Sequence, residues 1–133
     1  MGAFASNHEY AEEVMALATL DVVVLDCPDP TALAGFYAAV LGGTIEDQGE
    51  WVDLNLPGGA RLAFQAAPGF VPPKWPSPDH SQQFHLDLNV TDLDKAEKGV
   101  LELGARPLDT EDRTRTFRVY ADPAGHPFCL CAG

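Results

Sequence analysis

Two stretches of this chain are copies of one another. WVDLNLPGGARLAF at 51–64 and FRVYADPAGHPFCL at 117–130 align without gaps at a constant offset, so that Pro57 meets Pro123 and Gly59 meets Gly125. Leu62 and Phe64 meet Phe128 and Leu130 in the same alignment. An internal repeat constrains the fold strongly, because each copy has the same apolar face to bury and neither can bury it alone. The repeat reaches upstream as well. An offset three residues smaller places Asp29 on Asp92 and Val22 on His85.

Each copy opens with a strand followed by a helix. Residues 20–26 (LDVVVLD) form a β-branched run, and 84–90 (FHLDLNV) alternate strictly. That alternation sends Phe84, Leu86, Leu88 and Val90 to the helix side and His85, Asp87 and Asn89 to the other face. In the first helix Asp29 suits the N-cap and Pro30 the first helical position. Leu33, Phe36, Tyr37, Val40 and Leu41 then make one apolar face, and Gly42 supplies the stop. In the second, Thr91 or Asp92 caps, Leu93, Ala96, Val100 and Leu103 face the core, and Gly104 stops the helix. Three strands follow in each copy, at about 44–48, 50–56 and 60–66, then 105–109, 113–121 and 127–131. The expected fold class is α+β: two tandem βαβββ modules curled into a mixed-sheet cup within one domain over 1–133, module one at about 20–66 and module two at about 83–131.

The segment 67–82 joins them, with five prolines around Phe70, Trp75 and His80. A loop this long inside a compact domain points to a linker or lid with a functional role. Ahead of the repeat, Ser6 and Glu9 form a capping box, and Tyr10, Val14, Leu17 and Ala18 predict a short amphipathic helix over about 7–18.

Twenty acidic residues against eight basic ones give a formal net charge of −12. Such an excess repels phosphate backbones and anionic lipid surfaces, so no nucleic-acid or membrane partner is expected. No apolar run reaches the roughly 20 residues of a membrane span. The N-terminus lacks the basic and apolar regions of a secretory signal, which reads as cytoplasmic. Cys27, Cys129 and Cys131 form no CxxC pair and suggest no disulfide framework.

LDVVVLDCPDPTALAGFYAAVLGG (20–43), PPKWPSPDHSQQFHLDLNVTDLDKAE (72–97) and YADPAGHPFCL (120–130) together resemble the vicinal oxygen chelate superfamily, in its glyoxalase-like and bleomycin-resistance-like branch. The resemblance implies half-open cups that pair within a chain or across a homodimer to enclose a small-molecule site. It also implies that metal-using members carry ligands on the first and last strand of each module. Those positions are here Val22, Ala63, His85 and Cys129, with Gln65 replacing Ala63 if the register slips by two. Valine and alanine cannot coordinate an ion, so no metal or other cofactor is expected, and metal-dependent glyoxalase I chemistry is not.

The remaining candidates for a ligand site are Trp51, Trp75, Gln83, His85, Asp87 and Cys129. His85 is also the candidate acid–base group, since an imidazole titrates near neutrality. Trp75, braced by Pro73 and Pro76, is expected to fold over His85 and stack on a planar ligand. Arg61, Arg115 and Arg118 read as solvated strand faces, and His126 as a turn residue. Two functions lead: a metal-free protein that sequesters or senses a small organic metabolite or antibiotic, and a metal-independent lyase, isomerase or hydrolase using His85. A third, a purely structural or regulatory dimer, is told apart by whether any small molecule binds.

Overall fold

The computed structural model describes residues 11–81 and 83–132. Strand β1 (Val23–Cys27) leads into helix α1 (Pro30–Leu41), and β2 (Thr44–Asp47), β3 (Trp51–Asn55) and β4 (Arg61–Ala66) complete the first module. The second runs β5 (Leu86–Val90), α2 (Leu93–Glu102), β6 (Arg106–Asp109), β7 (Phe117–Ala121) and β8 (Pro127–Ala132). Each module has its own four-stranded sheet, ordered β1-β4-β3-β2 and β5-β8-β7-β6. The first strand pairs parallel to the last, and the other neighbours are antiparallel. This is the tandem βαβββ architecture that the repeat predicts.

The helix signals act as read. Asp29 accepts from the Ala32 amide, Pro30 takes the first turn and Gly42 ends α1 at φ 77°. Asp92, rather than Thr91, caps α2 through the Lys95 amide. Leu33, Phe36 and Tyr37 of α1 are buried. The Tyr37 ring stacks on Phe64 at 5.7 Å, and Phe36 meets Phe128 edge-on at 5.9 Å. One helix of the first module thus packs against a strand of each sheet, and the core runs continuously through both modules.

Several expectations need correction. No residue from 11 to 18 is helical, and Val14, Met15 and Leu17 are exposed; Ser6, Glu9 and Tyr10 lie outside the described residues. An isolated helix that short is marginal in water unless something covers its apolar face, and no described residue covers it. Leu103, expected in the core, is exposed at the end of α2. Phe84 is 83% exposed rather than on the helix side, because the ladder begins only at Leu86 and alternation has no hold before it. Leu86, Leu88 and Val90 do pack on the core, and His85, Asp87 and Asn89 are exposed.

Arg118 is the largest departure. It lies opposite Leu130 on the helix side of the sheet, only 4% exposed, and pairs with Asp94 of α2 at 3.0 Å. Glu97 stands 3.7 Å from it and also takes Arg113 at 2.9 Å and the Tyr120 hydroxyl at 2.7 Å. In the first copy the equivalents of Glu97, Arg118 and Tyr120 are Ala34, Val52 and Leu54, all core residues. The second module therefore has an ionic layer where the first has hydrocarbon.

Candidate functional site

A hollow of about 810 Å³ opens where the free edge of β1 faces the segment that leads into β5. Its walls are mostly aliphatic and aromatic. Val22, Val24 and Leu25 come from the first module, Phe70 and Val71 from the linker, and Phe84 and Leu86 from the second. Trp51 joins them with its ring, while its indole N–H donates to Asp53 at 3.1 Å. Gln65, Gln83 and His85 are among the few polar groups in the wall. A mostly apolar cleft of this size with a few hydrogen-bonding groups matches the usual form of a small-molecule site.

Of the residues singled out in the sequence, this hollow gathers Trp51, Gln83 and His85. Asp87 and Cys129 stand behind His85. The His85 Nε2 lies 3.2 Å from Asp87 Oδ1, so the carboxylate orients the ring and leaves Nδ1 for other partners. Cys129 is paired opposite Asp87 across the ladder. Burial, then the charge and hydrogen bond of Asp87, push the Cys129 thiol up to about 12, so it is no thiolate nucleophile at neutral pH. Trp75 is not brought to His85. It lines a second hollow of about 360 Å³, and the linker residues Val71 and Pro73 line both spaces.

The metal-ligand positions implied by the resemblance can be placed directly. Val24 lies opposite Ala63 as Asp87 lies opposite Cys129, so Ala63, not Gln65, is the counterpart of Cys129. The first module offers no donor at Val22 or Ala63. Among the described residues His85, Asp87 and Cys129 bring one donor atom each within 4.8 Å of one another. Two of these donors are not hard oxygen ligands, and the thiol holds its proton firmly. The set does not fit an oxygen-chelating divalent centre shared by both modules.

The three arginines expected on solvated faces are instead neutralised in place. Arg61 pairs with Asp21 at 2.7 Å and Asp53 at 3.1 Å. Arg115 pairs with Asp109 at 2.8 Å and sits 4.4 Å over the Phe117 ring.

A cluster that sequence reasoning passed over joins the two modules. The fully buried Asp122 accepts from the amides of Ala124, Gly125 and His126 through Oδ1. Its Oδ2 takes the Tyr37 hydroxyl of α1 at 2.7 Å and meets His126 Nδ1 at 2.8 Å. The other ring nitrogen of His126 lies 2.7 Å from the carbonyl of Asp26 on β1. Burial opposes a charge on His126, but the hydrogen bond and charge of Asp122, with Asp26 beside it, outweigh it and raise the ring's pKa. The signal was in the repeat. Asp122 and His126 stand where the first copy has Leu56 and Ala60, so this turn has a task its twin lacks.

Residues 22–131 match the glyoxalase-like domain family. No curated protein matches the chain. Among solved structures it is similar to a glyoxalase/bleomycin resistance protein/dioxygenase family enzyme from Burkholderia phytofirmans PsJN, with TM-score 0.68 and 19% identity over 86% of this chain and 98% of that one. It is also similar to the fosfomycin resistance protein FosX from Mesorhizobium loti, with TM-score 0.66 and 15% identity over 90% and 94% of the two chains. A glyoxalase-related enzyme from Fulvimarina pelagi gives TM-score 0.63 and 20% identity over 88% and 89%. At such identities the structural likeness speaks for the fold alone. With its tandem βαβββ modules and a family match over most of its length, the chain belongs to the glyoxalase-like domain family.

Proposed function

We propose that this protein binds a small, largely apolar organic molecule in the hollow between its modules, without a metal ion, and so sequesters or senses a metabolite or antibiotic. The observation that carries this reading is the make-up of the hollow. It offers about 810 Å³ walled by aromatic and branched aliphatic side chains, with Gln65, Gln83 and His85 to fix orientation. Apolar walls supply most of the binding free energy, and a few placed polar groups select the ligand.

Nile red, a neutral planar dye that brightens in apolar sites, tests it. The parent should bind the dye stoichiometrically, and Phe84→Ala should weaken binding about 10- to 100-fold, the scale of removing one large apolar side chain from a contact. Phe84 is almost fully exposed, so its loss leaves the core intact. Equal affinity in parent, Phe84→Ala and His85→Ala would refute the placement.

The His85–Asp87 contact favours a second reading, a metal-independent lyase, isomerase or hydrolase with His85 as acid or base. An enzyme of this kind should keep binding but lose turnover in His85→Gln.

A further inference from the structure

We propose that the second hollow, under Trp75, is a separate site for a small planar carboxylate. It is independent of the reading given for the larger hollow: Val71 and Pro73 line both spaces, but Lys74, Trp75 and Arg106, which carry the proposal, line only this one.

The space measures about 360 Å³, near the lower end for small-ligand pockets, and lies between the linker and the second module. Val71, Pro73 and Leu108 give it apolar walls, and the half-buried Trp75 supplies a ring to stack on. The loop that carries Trp75 is closed on itself. The Lys74 amide donates to the His80 carbonyl at 2.6 Å, and the Ser77 amide donates to the Lys74 carbonyl at 3.0 Å. The ring is thus presented by a backbone already held in place, which lowers the ordering cost of binding.

The charges select the ligand. In a chain with twenty acidic residues, no carboxylate among the described residues lines this space, yet Lys74 and Arg106 both do. Arg61, Arg113, Arg115 and Arg118 are all ion-paired, whereas Arg106 and Lys74 have no carboxylate partner among the described residues. The Trp75 indole N–H likewise has no acceptor among them, unlike that of Trp51, which donates to Asp53. Two cations and an N–H donor beside an aromatic face, with no side-chain carboxylate to answer them, complement an anion carried on a flat body. Arginine favours a carboxylate here because its fork can bind both oxygens.

The test is titration calorimetry of the full chain with 2-naphthoate and with its neutral analogue 2-naphthamide. Naphthoate should bind the parent, and in Phe84→Ala, where the larger hollow is weakened, the amide should bind at least tenfold more weakly than the acid, because only the acid engages the cations as an ion. Arg106→Gln should weaken naphthoate about tenfold and the Lys74→Gln/Arg106→Gln pair should abolish it; both side chains are exposed, so neither change disturbs the core. Phe84→Ala, which alters the larger hollow, should leave naphthoate affinity unchanged. The proposal is overturned if the parent fails to bind naphthoate at millimolar concentration, or if Phe84→Ala, with the larger hollow weakened, binds the amide as tightly as the acid. It is equally overturned if Phe84→Ala weakens naphthoate while Arg106→Gln does not.

Discussion

The joint between the modules is expected to loosen as pH rises above about 6.5, with His126 carrying the effect. Both of its ring nitrogens face acceptors, Asp122 Oδ2 at 2.8 Å and the Asp26 carbonyl at 2.7 Å, so the geometry is fully satisfied only when both carry protons. Burial works against that charge, but Asp122 and Asp26 prevail and the folded-state pKa lies above the ordinary value. A histidine raised in this way contributes its full stabilisation below the unfolded value of about 6.5, and the contribution is lost as pH climbs through the higher folded value.

One proton bound in the native but not the unfolded state gives a slope of at most about 1.4 kcal/mol per pH unit between those two values. Urea unfolding of the parent and of His126→Gln, from about pH 5.5 to pH 8.5, reads the difference directly. The gap between the two should be widest at the acid end and shrink as pH rises. The buried thiols do not confuse this range. Cys27 at about 11 and Cys129 at about 12 are also raised, so their contribution is lost only above the unfolded thiol value of 9.0. Tyr37→Phe, which removes one donor from the same buried carboxylate, should cost about 1.5–3 kcal/mol at every pH tested. Parallel stability curves for the parent and His126→Gln would refute the assignment.

Protein purified without chelator should carry well under one equivalent of zinc, nickel, iron or manganese by elemental analysis, and a value near one would overturn the reading of Val22 and Ala63. Light scattering at micromolar concentration should give the mass of a dimer, since Leu20, Val23, Val24 and Phe84 expose apolar surface beside the free edges of β1 and β5; the monomer mass would count against it. Gly125→Ala should destabilise the fold by about 2 kcal/mol or more in the same urea assay, because Gly125 has φ 104° and a Cβ there would sit 2.6 Å from Pro72. An unchanged urea midpoint would show that the linker does not press on this turn.

The repeat made the architecture legible, because offset matches report shared backbone geometry without reference to tertiary contacts. The caps at Asp29, Asp92 and Gly42 were legible for the same reason: they are local hydrogen-bond chemistry. What failed was whatever depends on a neighbour outside the local pattern. The 11–18 segment has a helical period but docks on no surface among the described residues. Phe84 obeys the alternation of its strand but precedes the ladder that would enforce it. Arg118 looks outward by type yet lies inward, since its partners Asp94 and Glu97 arrive from another element. At the site, His85 and Asp87 share a face of one strand, so their meeting could be foreseen. The separation of Trp75 from His85 depends on where the linker crosses, and no pattern within 67–82 encodes that path.

The ionic layer under α2 gives the two halves of the molecule different weaknesses. Hydrocarbon contacts such as those of Ala34, Val52 and Leu54 are indifferent to added salt, whereas Asp94, Glu97 and Arg113 sit near enough to water to be screened by it. Only one residue of α2 is buried, against five in α1. Partial opening should therefore begin at α2 and be hastened by salt, while α1 stays closed until the whole chain unfolds. Two segments of common pattern have become unequal partners: one anchors the fold, and the other can answer the ionic conditions around it.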